Sequence, residues 1–231
     1  MEFTLAITGY LVGLPLELLV IAAMLHGGAY REFPAAFAYA VAEFLTTVVE
    51  IPLALAWYRT NDAQLGMRYA YWYWRDERIM QFLVLAVVIS LLWMATNPAR
   101  SRRILRLMIV VGIGLLAGIS LLAHYDSRIP EGRWMTFWSR DLNFGAAVLD
   151  MLLWAMLIAK RQKDSRLLML SAGLGIMFAG EAIGQSVRNL ATHHSAITLP
   201  GSILVMLTSL AFLYIWWQTF RVPRPVLVSA P

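Results

Sequence analysis

The chain has 231 residues, of which 60% are hydrophobic and only 14% are charged, and its formal net charge is +5. An ordinary soluble domain has about 25% charged residues, so this composition excludes a disordered chain and argues strongly against a soluble enzyme. The sequence has no cysteine, which excludes disulfide bonds and thiolate metal sites. The basic residues lie in short segments between apolar stretches, as in membrane proteins, so we expect no nucleic-acid partner.

Seven apolar stretches along the chain predict transmembrane helices, each of which needs about 20 residues. They cover residues 4–25, 34–58, 80–95, 104–124, 142–159, 167–190 and 200–220. The third is short, and we expect the Tyr- and Trp-rich residues 67–76 to extend the same helix into the outer headgroups. The predicted fold class is all-α, an integral membrane bundle of seven transmembrane helices that forms a single domain over residues 1–231.

Basic residues in the connecting segments predict the orientation of the bundle. With the N-terminus outside, the inner side receives 11 of the 19 basic residues against two acidic ones, a net charge of +9. Basic residues concentrate on the cytoplasmic side, so we expect the N-terminus outside and the C-terminus inside. This count treats Asp76, Glu77 and Asp141 as acids of the outer loops. The aromatic residues that end the last stretch, including Trp216 and Phe220, are expected at the inner headgroups.

Five acidic residues remain inside the apolar stretches, and no Lys or Arg lies at comparable depth. These residues are Glu17, Glu43, Glu50, Asp150 and Glu181. A charged side chain at the bilayer centre costs ~2.5–3.5 kcal/mol on insertion scales, so we expect all five to face the bundle interior or water. Desolvation without a cationic partner disfavours a charged carboxylate, so we expect some of these groups to be protonated at neutral pH.

Helical spacing arranges part of these acids in two polar stripes. The stripe on the second helix, at positions i, i+3, i+4 and i+7, consists of Glu43, Thr46, Thr47 and Glu50. The stripe on the sixth helix consists of Glu181, Gln185 and Arg188. If the two stripes face each other, they line an outward-facing polar cavity, which suits a proton or ion relay or a small-ligand site. Alternatively, the carboxyl groups bond to neighbouring hydroxyls and carbonyls and hold the helices together.

Glycine pairs with G-x-x-x-G spacing predict close helix packing. They are Gly114 and Gly118 on the fourth helix, and Gly180 and Gly184 on the sixth.

Histidine and lysine positions give little support for a cofactor. His124, His193 and His194 fall near the outer surface, and an outer metal or haem site there is a weak alternative, because their spacing fits no zinc pattern. The only lysines, Lys160 and Lys163, lie at the end of the fifth stretch, so a retinal protein is excluded. We therefore expect no cofactor.

Two comparisons within and beyond the chain bear on its organisation. Residues 14–19 resemble residues 148–153, which suggests a weak three-plus-one-plus-three repeat of residues 1–97 and 140–224 around helix 104–124.

The chain also resembles an uncharacterised group of seven-helix bacterial integral membrane proteins. The matching pieces are residues 30–34 (YREFP), residues 69–72 (YAYW) and the Gly-rich sixth helix with its terminal acid. This resemblance implies the same fold and a bacterial inner membrane, and it implies no activity.

Three functional classes follow from these features. The first is a small transporter or proton- or ion-coupled carrier, in which the acids bind protons or cations and Arg188 guards the outer mouth. The second is a receptor, a sensor or an accessory subunit of a larger membrane complex. An intramembrane enzyme ranks last, because no catalytic constellation is evident. Besides the lipid bilayer, a membrane-protein partner, a second copy of the chain and a small molecule or ion remain open as partners.

Overall fold

The computed structural model describes residues 2–60, 62–96, 102–125, 131–159, 164–190 and 198–221, which form eight α-helices and contain no strand. The helices are α1 (Glu2–His26), α2 (Ala29–Glu32), α3 (Pro34–Thr60), α4 (Ala63–Ala95), α5 (Arg102–His124), α6 (Glu131–Ala159), α7 (Ser165–Leu190) and α8 (Thr198–Arg221). The four-residue α2 is a short link between two long helices. The all-α class is therefore confirmed for the described parts of the chain.

Six helices within the described ranges are long and apolar enough to cross a membrane, namely α1, α3, α4, α6, α7 and α8. In α5 the described apolar segment is Val110–His124, which is shorter than a span of about 20 residues. The chain is thus compatible with a multi-pass membrane protein. A seventh span over residues 104–124 and the orientation of the bundle stay predictions.

Two helices continue beyond the apolar stretches from which they were predicted. The aromatic residues 67–76 and the apolar residues 80–95 form one helix, α4, as expected. Asp62 caps its start, since the Asp62 carboxylate accepts a hydrogen bond of 2.8 Å from the backbone N–H of Gln64. Glu77 and Asp141 were counted with the outer loops, which is wrong because they lie inside α4 and α6, while the outer side of the bundle stays the prediction for both. The backbone N–H and carbonyl groups of a helix bond to each other within the helix, in apolar and polar surroundings alike, so a helix does not have to end where the apolar segment ends.

The six candidate spans pack in a closed ring. In order around the ring they are α1, α3, α4, α6, α7 and α8, and α8 returns to α1. The helix α5 packs against α6 outside this ring. Buried apolar side chains such as Leu91, Leu153 and Leu174 fill the contacts between neighbouring helices. A ring of this kind brings side chains from non-adjacent helices to a common interior.

The helices α7 and α8 approach each other closely at a glycine pair. A Cβ on Gly180 would overlap the Thr208 side chain, and a Cβ on Gly184 would overlap Val205. The packing predicted for this pair is confirmed. The packing predicted for Gly114 and Gly118 is wrong for contacts within the described chain, because nothing lies within 4 Å of a Cβ at either position. Both of those residues lie on α5, outside the ring.

Two aromatic residues near the end of α8 belong to the core. Trp216 is fully buried, and its indole N–H donates a hydrogen bond of 3.2 Å to the Leu170 carbonyl on α7. Phe220 is also buried. Both rings therefore face neighbouring helices, and their predicted depth at the inner headgroups stays a prediction. Gly173 on α7 makes the packing of Trp216 possible, because the absence of a side chain at Gly173 leaves room for the indole ring.

Candidate functional site

A cavity of about 190 Å³ lies within the helix ring and is lined by α3, α4, α6, α7 and α8. Five carboxyl groups from three helices line it, those of Glu43, Glu50, Asp76, Glu77 and Glu181. Among the described side chains on its wall there is no Lys, Arg or His. We call this space the acidic cavity. Its polar groups are mostly hydrogen-bond acceptors, which favours protons, cations and N–H or O–H donors over anions.

The wall formed by α3 is the polar stripe recognised in the sequence. All four of its residues line the acidic cavity, in agreement with their spacing on one helix face. The Thr46 hydroxyl donates a hydrogen bond of 2.9 Å to the Glu43 carbonyl of the same helix, so its proton is already used. One turn before Glu43, the buried Tyr39 hydroxyl contacts the Met177 sulfur at 3.7 Å and joins α3 to α7.

The wall formed by α4 contains residues that the sequence analysis missed. Asp76, Glu77 and Gln81 all line the acidic cavity. The Gln81 amide donates a hydrogen bond of 2.8 Å to Glu77 Oε1. Gln81 is only 6% exposed, and its Oε1 atom is buried without a hydrogen-bond partner. The i, i+4 spacing of Glu77 and Gln81 places them on one helix face and was the available signal. It was overlooked because Glu77, with charged neighbours on both sides, was counted among the acids of the outer loops.

The wall opposite α3 brings in the second predicted stripe. Glu181 on α7 accepts a hydrogen bond of 2.7 Å from the Asn143 side-chain amide on α6, and both residues line the acidic cavity. Glu43, Glu50 and Glu181 therefore meet at one site, although they come from two helices far apart in sequence. The side chains of Gln185 and Arg188, the rest of this stripe, lie outside the described residues.

The carboxyl groups of the cavity are close enough to act on one another. Glu43 and Glu77 interact electrostatically with each other, and Glu50 and Glu181 each interact with both of them. Like charges repel more strongly in a partly desolvated site than in bulk water. Uptake of a proton or cation by one group therefore changes the affinity of its neighbours.

Glu17 and Asp150 lie in helix contacts and do not line the acidic cavity. The Thr47 hydroxyl on α3 donates a hydrogen bond of 3.3 Å to Glu17 on α1. The Ser171 hydroxyl on α7 donates a hydrogen bond of 2.6 Å to Asp150 on α6. Each acid thus ties two neighbouring helices together, which is the structural alternative considered for the buried acids. Glu17 also keeps one buried oxygen, Oε2, without a partner.

His124 takes part in a polar contact between α5 and α6. Its Nε2 atom lies 3.0 Å from Asp141 Oδ2, and the same oxygen accepts a hydrogen bond of 2.7 Å from the Ser120 hydroxyl. Within the described ranges, no three His, Cys, Asp or Glu residues are placed to hold a metal ion. His193 and His194, the other histidines of the weak metal hypothesis, lie outside the described residues.

Comparisons with known proteins give no relative from which a function is transferable. No protein-family model matches the chain, and no curated protein or solved structure matches it. The resemblance to the seven-helix bacterial group and the internal repeat stay predictions. Inference about function therefore starts from the geometry of the acidic cavity.

Proposed function

We propose that this protein is a small proton- or cation-coupled carrier of a bacterial inner membrane, with seven spans, the N-terminus outside and the C-terminus inside. One observation carries the proposal, namely five carboxyl groups on one cavity inside the helix ring with no basic side chain on its described wall. Ionisable groups in membrane bundles are costly, and they commonly mark proton and substrate paths. In this proposal α5 is the seventh span.

The depth of the acids suggests a route through the outer half of the bundle. Glu50 lies seven residues after Glu43 on α3, about 10 Å nearer to the end that is outside in the proposed orientation. A proton or cation that enters from this end meets Glu50 and Asp76 first, then Glu43 and Glu77. Glu181 on the far wall completes the route. Each transfer relieves the electrostatic repulsion between the carboxylate that accepts the proton or cation and its neighbouring carboxylates.

Aromatic side chains close the inner end of this route. Tyr39 lies one turn further in than Glu43, and its ring makes edge contacts with Phe212 at 5.9 Å and Trp216 at 5.7 Å. All three side chains are buried. Alternating access requires this aromatic cluster to separate when the outer entrance closes, because a carrier exposes its site to one side at a time.

Proton flux in proteoliposomes tests the proposal. Purified protein is reconstituted with a pH-sensitive dye inside the vesicles, and an inward proton gradient is applied with and without candidate cations outside. We expect gradient-dependent flux that is reduced at least about tenfold in Glu43→Gln and Glu77→Gln, because each variant removes a proton-accepting group. Glu32→Gln is the matched control, since Glu32 lies outside the cavity and is 3.7 Å from Arg166 in a partly exposed ion pair.

The same experiment separates the competing functional classes. Flux that equals the leak of empty vesicles, or that is unchanged in both cavity variants, would refute a carrier. Ligand binding without flux would indicate a receptor or sensor. A stoichiometric membrane-protein partner after mild solubilisation, together with silent vesicles, would indicate an accessory subunit of a larger complex.

A further inference from the structure

Gln81 lines the acidic cavity and has an unpartnered acceptor that a proton relay leaves unused. The buried Oε1 atom of Gln81 has no hydrogen-bond partner, while the amide nitrogen of the same side chain is bound to Glu77. An unpaired buried acceptor costs about 1–3 kcal/mol. A side-chain amide oxygen does not take up a proton near neutral pH, but it accepts N–H and O–H groups readily. Gln81 therefore favours a bound molecule with hydrogen-bond donors.

The distribution of the acids suits an organic cation better than a metal ion. A metal ion requires several ligands that converge on one point, and no three candidate ligands in the described ranges do so. The carboxyl groups are instead spread over three helices around the cavity. Such a spread matches a molecule whose N–H groups point in several directions and whose charge is satisfied by more than one acid.

One side of the cavity is apolar, which sets the character of the rest of the ligand. Along α4 the lining changes from Asp76 and Glu77 to Met80 and Val84 within eight residues, about 12 Å. Leu213 on α8 lines the same cavity. An engineered protein cavity of ~150 Å³ holds benzene, which has six non-hydrogen atoms, so a cavity of about 190 Å³ accommodates a ligand of similar size. The ligand is therefore small and partly aliphatic.

We infer that the acidic cavity binds a small aliphatic primary ammonium ion of about six non-hydrogen atoms. Its N–H groups donate to Gln81 Oε1 and to the carboxylates of Glu43 and Glu77, and its methylene groups lie against the apolar wall. This inference rests on the proposed function, for which it names the class of substrate. The aromatic ring of Phe212 on the lining adds a further favourable surface for a cation.

Calorimetric binding to the purified full-length protein in detergent tests the inference. The probe is 1,4-diaminobutane, which has six non-hydrogen atoms, with 1,4-butanediol, succinate and tetramethylammonium as neutral, anionic and donor-free comparisons. We expect the diamine to bind, tetramethylammonium to bind at least about tenfold more weakly, and the diol and succinate not to bind. Gln81→Met should weaken diamine binding about tenfold, the typical loss of one hydrogen bond to a charged donor. Gln218→Met is the control, because Gln218 does not line the cavity and bonds Tyr214.

Each outcome separates the ligand class from the transport activity. Equal binding of the diamine and tetramethylammonium, unchanged binding in a folded Gln81→Met variant, or no diamine binding by the wild type would overturn the inference. If Gln81→Met fails to fold, the series of four wild-type probes still decides the question. Proton flux that depends on Glu43 without diamine binding would leave the carrier in place and remove its substrate class. Diamine binding without proton flux would keep the ligand class and remove the carrier.

Discussion

Alanine at Gly180 offers the clearest test of how α7 and α8 fix the site. A Cβ at this position would overlap the Oγ1, Cβ and Cγ2 atoms of Thr208, so more than one flexible side-chain end must move. Inserting a group into a packed contact of this kind typically costs about 1–3 kcal/mol. The gain in helix propensity from Gly to Ala, about 1 kcal/mol, partly offsets that cost.

A second glycine in the chain isolates the packing contribution. Gly114 on α5 is also inside a helix, but nothing in the described chain lies within 4 Å of a Cβ at this position. Gly114→Ala has the same gain in helix propensity and no overlap. The difference between the free energies of unfolding of Gly180→Ala and Gly114→Ala should therefore be about 1–3 kcal/mol, with Gly180→Ala the less stable.

Unfolding of the two variants in mixed detergent micelles, followed by circular dichroism, measures this difference. Addition of Thr208→Gly to Gly180→Ala should recover part of the loss, because it removes all three overlapped atoms. Since Glu181 follows Gly180 directly, Gly180→Ala should also displace the Glu181 carboxyl group from Asn143 and reduce proton flux. Equal stability of Gly180→Ala and Gly114→Ala would refute the close approach of α7 and α8.

The remaining predictions concern polar contacts between neighbouring helices. Ser171→Ala should lower the free energy of unfolding by about 1–3 kcal/mol, because it leaves a buried oxygen of Asp150 without its donor, whereas the exposed Ser186→Ala should change it by less than about 0.5 kcal/mol. Equal effects of these two serine variants in detergent unfolding would contradict a stabilising role for Asp150. Thr47→Val should destabilise the bundle by a similar 1–3 kcal/mol, since Glu17 then loses its hydroxyl donor, and an unchanged unfolding midpoint would argue against this contact. Asp141→Asn should speed amide hydrogen exchange in α5 but not in α7, because it weakens the contacts that hold α5 to α6; uniform exchange rates would show that α5 is held by other means.

The sequence predicted the α3 wall of the acidic cavity and Glu181, but not the α4 wall. Glu43 and Glu50 share a helix face by spacing alone, and the cost of burying a carboxylate favours turning both inward. Glu77 was missed because it lies beside Arg75, Asp76 and Arg78 and was counted with the acids of the outer loops, whereas Gln81 lies inside the predicted span 80–95 and has no charge to mark it. Helix propensity is local, whereas burial of Glu77 depends on which helices pack around α4.

The sequence by itself predicted a membrane medium and most of the helical secondary structure. A chain that is 60% hydrophobic and has helix-length apolar stretches must satisfy its backbone hydrogen bonds internally, so a helical membrane protein follows from composition and periodicity. The tertiary structure alone decided which acids meet. Glu17 and Asp150 look like Glu43 in sequence, yet they lie in pairwise helix contacts, because the closed ring and the α7–α8 approach set the position of every side chain relative to the centre. The distances between these acidic side chains depend on packing between segments far apart in the chain, which no local sequence pattern encodes.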